Sequence, residues 1–149
     1  MQPDSPPSDM EQRGTSLGIT FSRGRTFTSN SHLALEAAEY VADHAPDSDF
    51  HRAMFKAYFT DLLDIGKVDT VVEVGASVGI DAVDLRAALT SGAYRQQVDD
   101  GLDWSRDIGV TAVPTFVFAE QYGVVGAQDY QVFQRIMERL GVPKRAPQD

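Results

Sequence analysis

The sequence contains no cysteine. That absence removes disulfide bonds, a thiol nucleophile and thiolate-bound metal from the chemistry open to these residues. Imidazole is scarce as well: His32, His44 and His51 are the only histidines, and none stands in HExxH or another ligand spacing, so no zinc site is expected. Basic charge is also short. Lys and Arg number 13 against 22 Asp and Glu, giving a formal net charge of −9. Such a chain has little with which to neutralise a row of phosphates or to approach an anionic bilayer, so neither nucleic acid nor membrane is an expected partner. The acidity is read as serving solubility. Long apolar runs are missing too, and without about 18 such residues in a row no bilayer-spanning helix is expected. The opening "MQPDSPPSDMEQRGTS" has neither the basic nor the apolar region of a signal peptide, which makes the cytoplasm the expected compartment.

What is present suffices for one domain: 149 residues, 42% of them hydrophobic. Residues 1–16, rich in Pro, Ser, Asp and Gln, are expected to be a disordered tail, because they offer too little apolar surface to offset ordering entropy. The folded domain is expected over residues 17–141 and a flexible tail over residues 142–149. Leu17 to Phe21 reads as a short strand or extended segment, followed by a loop around Gly24. A helix is expected from a cap at Ser29 or Asn30 to Pro46, with Leu33, Ala37, Tyr40 and Val41 on one face. A second, capped at Asp47 or Ser48, carries Phe50, Met54, Ala57, Tyr58 and Leu62 and ends at Gly66. "VDTVVEVGASVGI" is strand-like in composition, yet Val71, Val74 and Val78 step helically, and a short helix is predicted. "DAVDLRAALTSG" predicts another. "AYRQQVDDGLDWSRDIG" predicts a longer one with Tyr94, Val98, Leu102, Trp104 and Ile108 facing inward.

The period then changes. "PTFVFA" and "YGVVG" are short apolar runs that predict a β-hairpin joined at Glu120 and Gln121. "QDYQVFQRIMERLG" predicts a closing amphipathic helix with Val132, Phe133, Ile136 and Leu140 inward. Pro114 stands at the mouth of the first strand, where it removes a ladder donor. Either a cis bond, which would expose the Val113 backbone to an extended peptide, or a trans proline at a strand entrance fits this position.

A set of motifs bears a resemblance. "GVTAVPTFVFAEQYGVVGAQDYQVFQRIMERL" is similar to the closing segment of thioredoxin-fold proteins of the DsbA-like family. "NSHLALEAAEY" (Asn30 to Tyr40), "FHRAMFKAYFTDLLDIG" (Phe50 to Gly66) and "DAVDLRAALTSG" (Asp81 to Gly92) resemble its FrnE-type branch. The likeness runs from about Ile19 to Leu140. It implies an α/β fold, a partial thioredoxin-like one: a helical insertion block, an antiparallel β-hairpin and a C-terminal helix. It also implies a cis bond at Pro114 and a peptide groove lined by Val113, Pro114 and Thr115. The family exchanges protein disulfides through a Cys-x-x-Cys pair at a helix start. That pair and its surrounding strand–helix–strand half have no counterpart here, and nothing in this sequence can inherit the role of the nucleophile.

The expectation is therefore a thiol–disulfide oxidoreductase-like domain, inactive by itself, with no catalytic residue, metal or cofactor of its own. Its expected partners are an extended peptide or protein thiol substrate, and either a separately encoded CxxC half or a second copy. Apolar residues on both hairpin faces favour the last point, since such a sheet is built to be covered twice. Two alternatives stand beside this one. The first is a non-catalytic peptide- or partner-binding module. The second is a relative of the glutathione-dependent hydroxychromene carboxylate isomerases, which use serine where the oxidoreductases use the first thiol. Other candidates are given plain readings: the carboxylates at Asp43, Asp47 and Asp49 and at Asp99, Asp100 and Asp103 as solvated charge, His32 and His51 as surface or boundary histidines, and Arg23 and Arg25 as loop residues rather than a grip for an anion or a glutathione-like carboxylate. "GASVG" lacks the remainder of a phosphate loop.

Overall fold

The computed structural model describes residues 6–143. The elements are α1 (Asp9–Ser16), α2 (His32–His44), α3 (Phe50–Phe59), α4 (Val68–Ser77), α5 (Ala82–Ser91), α6 (Arg95–Asp107), β1 (Thr115–Phe118), β2 (Tyr122–Val125) and α7 (Tyr130–Arg139). The chain forms two compact units that divide inside α6, between Gly101 and Leu102.

The first unit is helical. Its core is made by α2, α3, α4 and α5, which bury Ala37, Phe50, Val71, Leu85 and Leu89 almost completely. The expected apolar stripes of α2 and α3 are the ones buried: Ala37, Tyr40 and Val41 on one, Phe50, Met54 and Ala57 on the other. In α4 the helical step of the valines prevails over their strand propensity, because Val71, Val72 and Val74 all reach the core. Gly75 lets α4 approach α5 closely: a Cβ there would lie 2.7 Å from Leu85 Cδ2. Asp81 caps α5 through the Val83 and Asp84 N–H groups at 2.8 and 2.9 Å.

Three expectations for this unit are corrected. Within the expected disordered tail, residues 9–16 form α1. Ser8 and Glu11 make a reciprocal capping box, and the helix is anchored to the chain beyond it by Arg23, whose Nε and Nη2 donate to the Glu11 carboxylate at 2.5 and 2.8 Å. Leu17 to Phe21 forms no strand: the segment is tied to α3 instead, by Ser22 N–H to the Phe59 carbonyl at 2.9 Å and an edge-on Phe21–Phe59 ring contact. Helix α3 ends at Phe59 rather than reaching Gly66. Leu62 is in the left-handed region (φ 58°), and Leu63 N–H donates to the Ala57 carbonyl to close the helix.

The second unit holds the last part of α6, the hairpin and α7. β1 and β2 pair antiparallel with Thr115 opposite Val125, Phe116 opposite Val124, Val117 opposite Gly123 and Phe118 opposite Tyr122. Phe116 and Phe118 meet Phe133 of α7 edge-on at 5.0 and 6.1 Å between ring centroids, and Val124 and Ile136 are buried. The opposite face shows Val117 and Val125 to solvent, 40% and 51% exposed. The connection is Ala119 to Gln121, one residue earlier than expected, and Ala119 and Glu120 both adopt positive φ (49° and 55°). Of the residues expected inward on α6, Val98 is buried and Tyr94 half-buried, but Leu102, Trp104 and Ile108 are exposed, Trp104 at 54%.

Candidate peptide-binding edge

Helix α6 ends where Gly109 (φ 77°) donates its N–H to the Arg106 carbonyl and Val110 donates to the Ser105 carbonyl, each at 2.9 Å. Glycine tolerates this left-handed cap, which turns the chain towards Val113. The Val113–Pro114 peptide is cis. Thr115 Oγ1 donates to the Ala112 carbonyl at 2.6 Å, closing a tight loop around the proline. Gly126 N–H donates to the Pro114 carbonyl at 2.7 Å. Pro114 thus enters the ladder as an acceptor alone; the N–H it lacks would face the Gly126 carbonyl, which accepts from Gln128 N–H at 3.0 Å instead.

That bond fixes which groups remain free. Hydrogen-bonded pairs alternate along an antiparallel ladder. With Pro114 and Gly126 joined, the register turns the N–H and C=O of Thr115 and Val117 away from β2. Among the described residues β1 has no second strand neighbour. Val113, immediately before the proline, is 89% exposed. Of the site residues anticipated from the sequence, Thr115 lies on this open edge, and Val113 and Pro114 lead directly into it. It presents backbone donors and acceptors, one hydroxyl and apolar side chains. Such an edge can pair with an extended chain but contains no group able to attack a sulfur.

The other sequence candidates are placed differently. His32 is a boundary histidine, half-buried at the start of α2. Its Nδ1 lies 2.9 Å from Glu36 Oε1 and its Nε2 lies 2.9 Å from Asp99 Oδ1, and these two carboxylates, Asp99 more than Glu36, raise the pKa of the imidazole. Glu36 is 1% exposed and also faces Arg95 Nε at 3.7 Å. The His32–Glu36 spacing of four residues was visible in the sequence; the partner Asp99, 67 residues away, was not. Arg23 grips Glu11 and holds that carboxyl at about 2. Asp43 accepts from the Tyr94 hydroxyl, Asp100 from Gln96 and Asp103 from Arg106. Among the described residues no three His, Cys, Asp or Glu side chains gather as metal ligands would. No helix among them is long and apolar enough to cross a membrane.

Residues 6–138 match the DSBA-like thioredoxin domain, and the chain belongs to that family. It is 25% identical over 104 residues to the uncharacterized protein YwbO of Bacillus subtilis (strain 168), across 69% of this chain and 52% of that protein. Its fold is similar to the crystal structure of a probable DsbA oxidoreductase from Streptomyces coelicolor, with a TM-score of 0.78 and 24% identity over 95% of this chain and 61% of that one. The chain thus spans about half the length of the curated relative and about three-fifths of the solved one.

Proposed function

We propose that these residues are the peptide-holding portion of a DsbA-type thiol–disulfide exchange unit, and that the exchanging sulfurs belong to polypeptide outside this sequence. The open edge of β1 at Thr115 and Val117, reached through the exposed Val113, carries this reading. An extended client would add itself as a strand there, its backbone pairing with the free N–H and C=O groups while Val113 and Thr115 contact its side chains. Exchange would proceed by attack of a thiolate from the cysteine-bearing portion on the client disulfide, through a mixed disulfide. The absence of cysteine supports binding without exchange as the activity of this chain by itself. The apolar outer face of the hairpin, Val117 and Val125, is where the cysteine-bearing portion would pack.

Adding a synthetic extended peptide with blocked thiols to the isotopically labelled protein tests the holding role. The amide signals of Val113, Thr115 and Val117 are expected to shift saturably and to exchange more slowly with solvent. Unchanged signals at these three positions at millimolar peptide would exclude a peptide edge. Sedimentation with a thioredoxin-like CxxC fragment tests the second part; a failure to co-sediment would leave the chain as a binding module alone.

A further inference from the structure

Helix α3 buries Phe50, Met54 and Ala57 and turns its other side towards two adjoining hollows. One, of about 660 Å³, lies between α3 and the segment Leu17 to Thr20. The other, of about 420 Å³, lies between α3, α2 and residues 28–31. Each alone has the size of a small-molecule site, roughly 300–1,000 Å³. His51, Phe55 and Phe59 line both, so the two form one groove, with Phe55, 63% exposed, as the ridge between its halves. Leu17 and Ile19 in the first half and Leu35 in the second are exposed as well. Contiguous apolar surface of this kind marks a site of association. The first wall is tied in advance: the Thr60 hydroxyl donates to the Thr20 carbonyl at 2.6 Å, and Ser22 N–H donates to the Phe59 carbonyl at 2.9 Å. A partner need not order it, which lowers the cost of binding.

The charge around the groove selects the partner. Asp and Glu make up 22 of the 149 residues, yet none lines either hollow. The charged side chains there are both basic, Arg52 and Lys56, one turn apart on α3. Lys56 is held by the Asp61 carboxylate at 2.7 and 2.8 Å. Arg52 is exposed and has no carboxylate partner among the described residues. A guanidinium left open beside apolar surface is complemented by a carboxylate. We propose that this groove docks an acidic, apolar segment of a protein partner, with one apolar side chain on each side of Phe55 and a carboxylate on Arg52. A single small molecule would fill only one half; a polypeptide can place a side chain in each. The inference stands apart from the peptide edge, since every residue it uses belongs to the helical unit.

Titration of the isotopically labelled whole chain with three end-blocked peptides tests it: alternating Leu and Glu, alternating Leu and Lys, and alternating Ser and Glu. The Leu–Glu peptide is expected to bind saturably, to shift the Ile19 and Leu35 methyl signals, and to bind about tenfold or more tighter than either of the others. The net charge of −9 favours the Lys peptide, so the expected order has to arise at the groove itself. Arg52→Glu is expected to erase the preference for Glu over Lys, and Phe55→Ala to weaken the Leu–Glu peptide about tenfold. Both side chains are exposed, so neither change touches the core, and the wild-type comparison needs no variant. No saturable binding at millimolar peptide, a Lys peptide that binds as tightly, shifts confined to β1, or an unchanged preference in Arg52→Glu would each overturn the proposal. So would a chain that sediments alone as a dimer and is dissociated by Phe55→Ala, because a second copy would then occupy the groove.

Discussion

His32 Nε2 and Asp99 Oδ1 lie 2.9 Å apart, joining the first turn of α2 to the amino-terminal half of α6. The same ring faces Glu36 through its other nitrogen, so one imidazolium is shared between two carboxylates. This gives the helical unit a stability that depends on pH. Asp99 and Glu36 raise the folded-state pKa of His32 above its ordinary 6.5. The contribution is therefore fully present below that value and is lost as pH rises through the folded pKa. His32→Gln is expected to be about 1 kcal/mol less stable than wild type at pH 5.5 and nearly equal to it well above the raised pKa. Denaturant melts at several pH values check this; a difference that does not depend on pH would show that His32 acts by packing alone.

Glu11 has the opposite sign. Arg23, the Ser8 N–H and the Ser8 hydroxyl favour its charged form, and its pKa falls from 4.5 to about 2. What this pair contributes is present above the unfolded value near 4.5 and disappears as pH drops towards 2. Attachment of α1 is expected to loosen over that window. Glu11→Gln should loosen it already at neutral pH, with tryptic cleavage after Arg13 about tenfold faster than in wild type.

The hairpin turn places two ordinary residues in a conformation suited to glycine or asparagine. Ala119 and Glu120 have φ of 49° and 55°. A left-handed conformation costs an L-residue about 1–2 kcal/mol. The double variant Ala119→Asn, Glu120→Gly is expected to stabilise the second unit by about 1–2 kcal/mol, measured by denaturant unfolding or by amide exchange in β1 and β2.

In the helical unit, Leu85 is fully buried and fills the space that Gly75 leaves open. Leu85→Ala is expected to cost about 2–5 kcal/mol, the transfer of the lost atoms plus the void they leave. Gly75→Ala pushes a methyl group into the same contact, and overpacking of this kind costs about 1–3 kcal/mol despite the better helix propensity of alanine. Opposite signs for these two variants would contradict the packing described.

These outcomes also show what the sequence could and could not convey. Helices α2, α4, α5 and α7 were legible because their apolar residues repeat at helical spacing and meet a core that the same chain supplies. The hairpin was legible from two short apolar runs, and the family from motifs spread along the chain. α1 was overlooked although Ser8 and Glu11 form a readable capping box, because its anchoring guanidinium, Arg23, lies 12 residues from Glu11. The early end of α3 depends on the backbone of Leu62, which no residue type there announces. On α6, the outward Trp104 and Ile108 broke a pattern that treated every large apolar residue as core. The His32–Asp99 contact and the Arg25–Tyr58 stack join residues far apart in sequence, and only folding brings them together.

The two-stranded ribbon has a further consequence. Among the described residues neither margin has a strand neighbour, and a margin of this kind is a template onto which an identical strand could align. At neutral pH the net charge of −9 keeps such encounters apart. Near the isoelectric point of about 4.6 that repulsion vanishes. The exposed Val117 and Val125 would then favour strand-on-strand association.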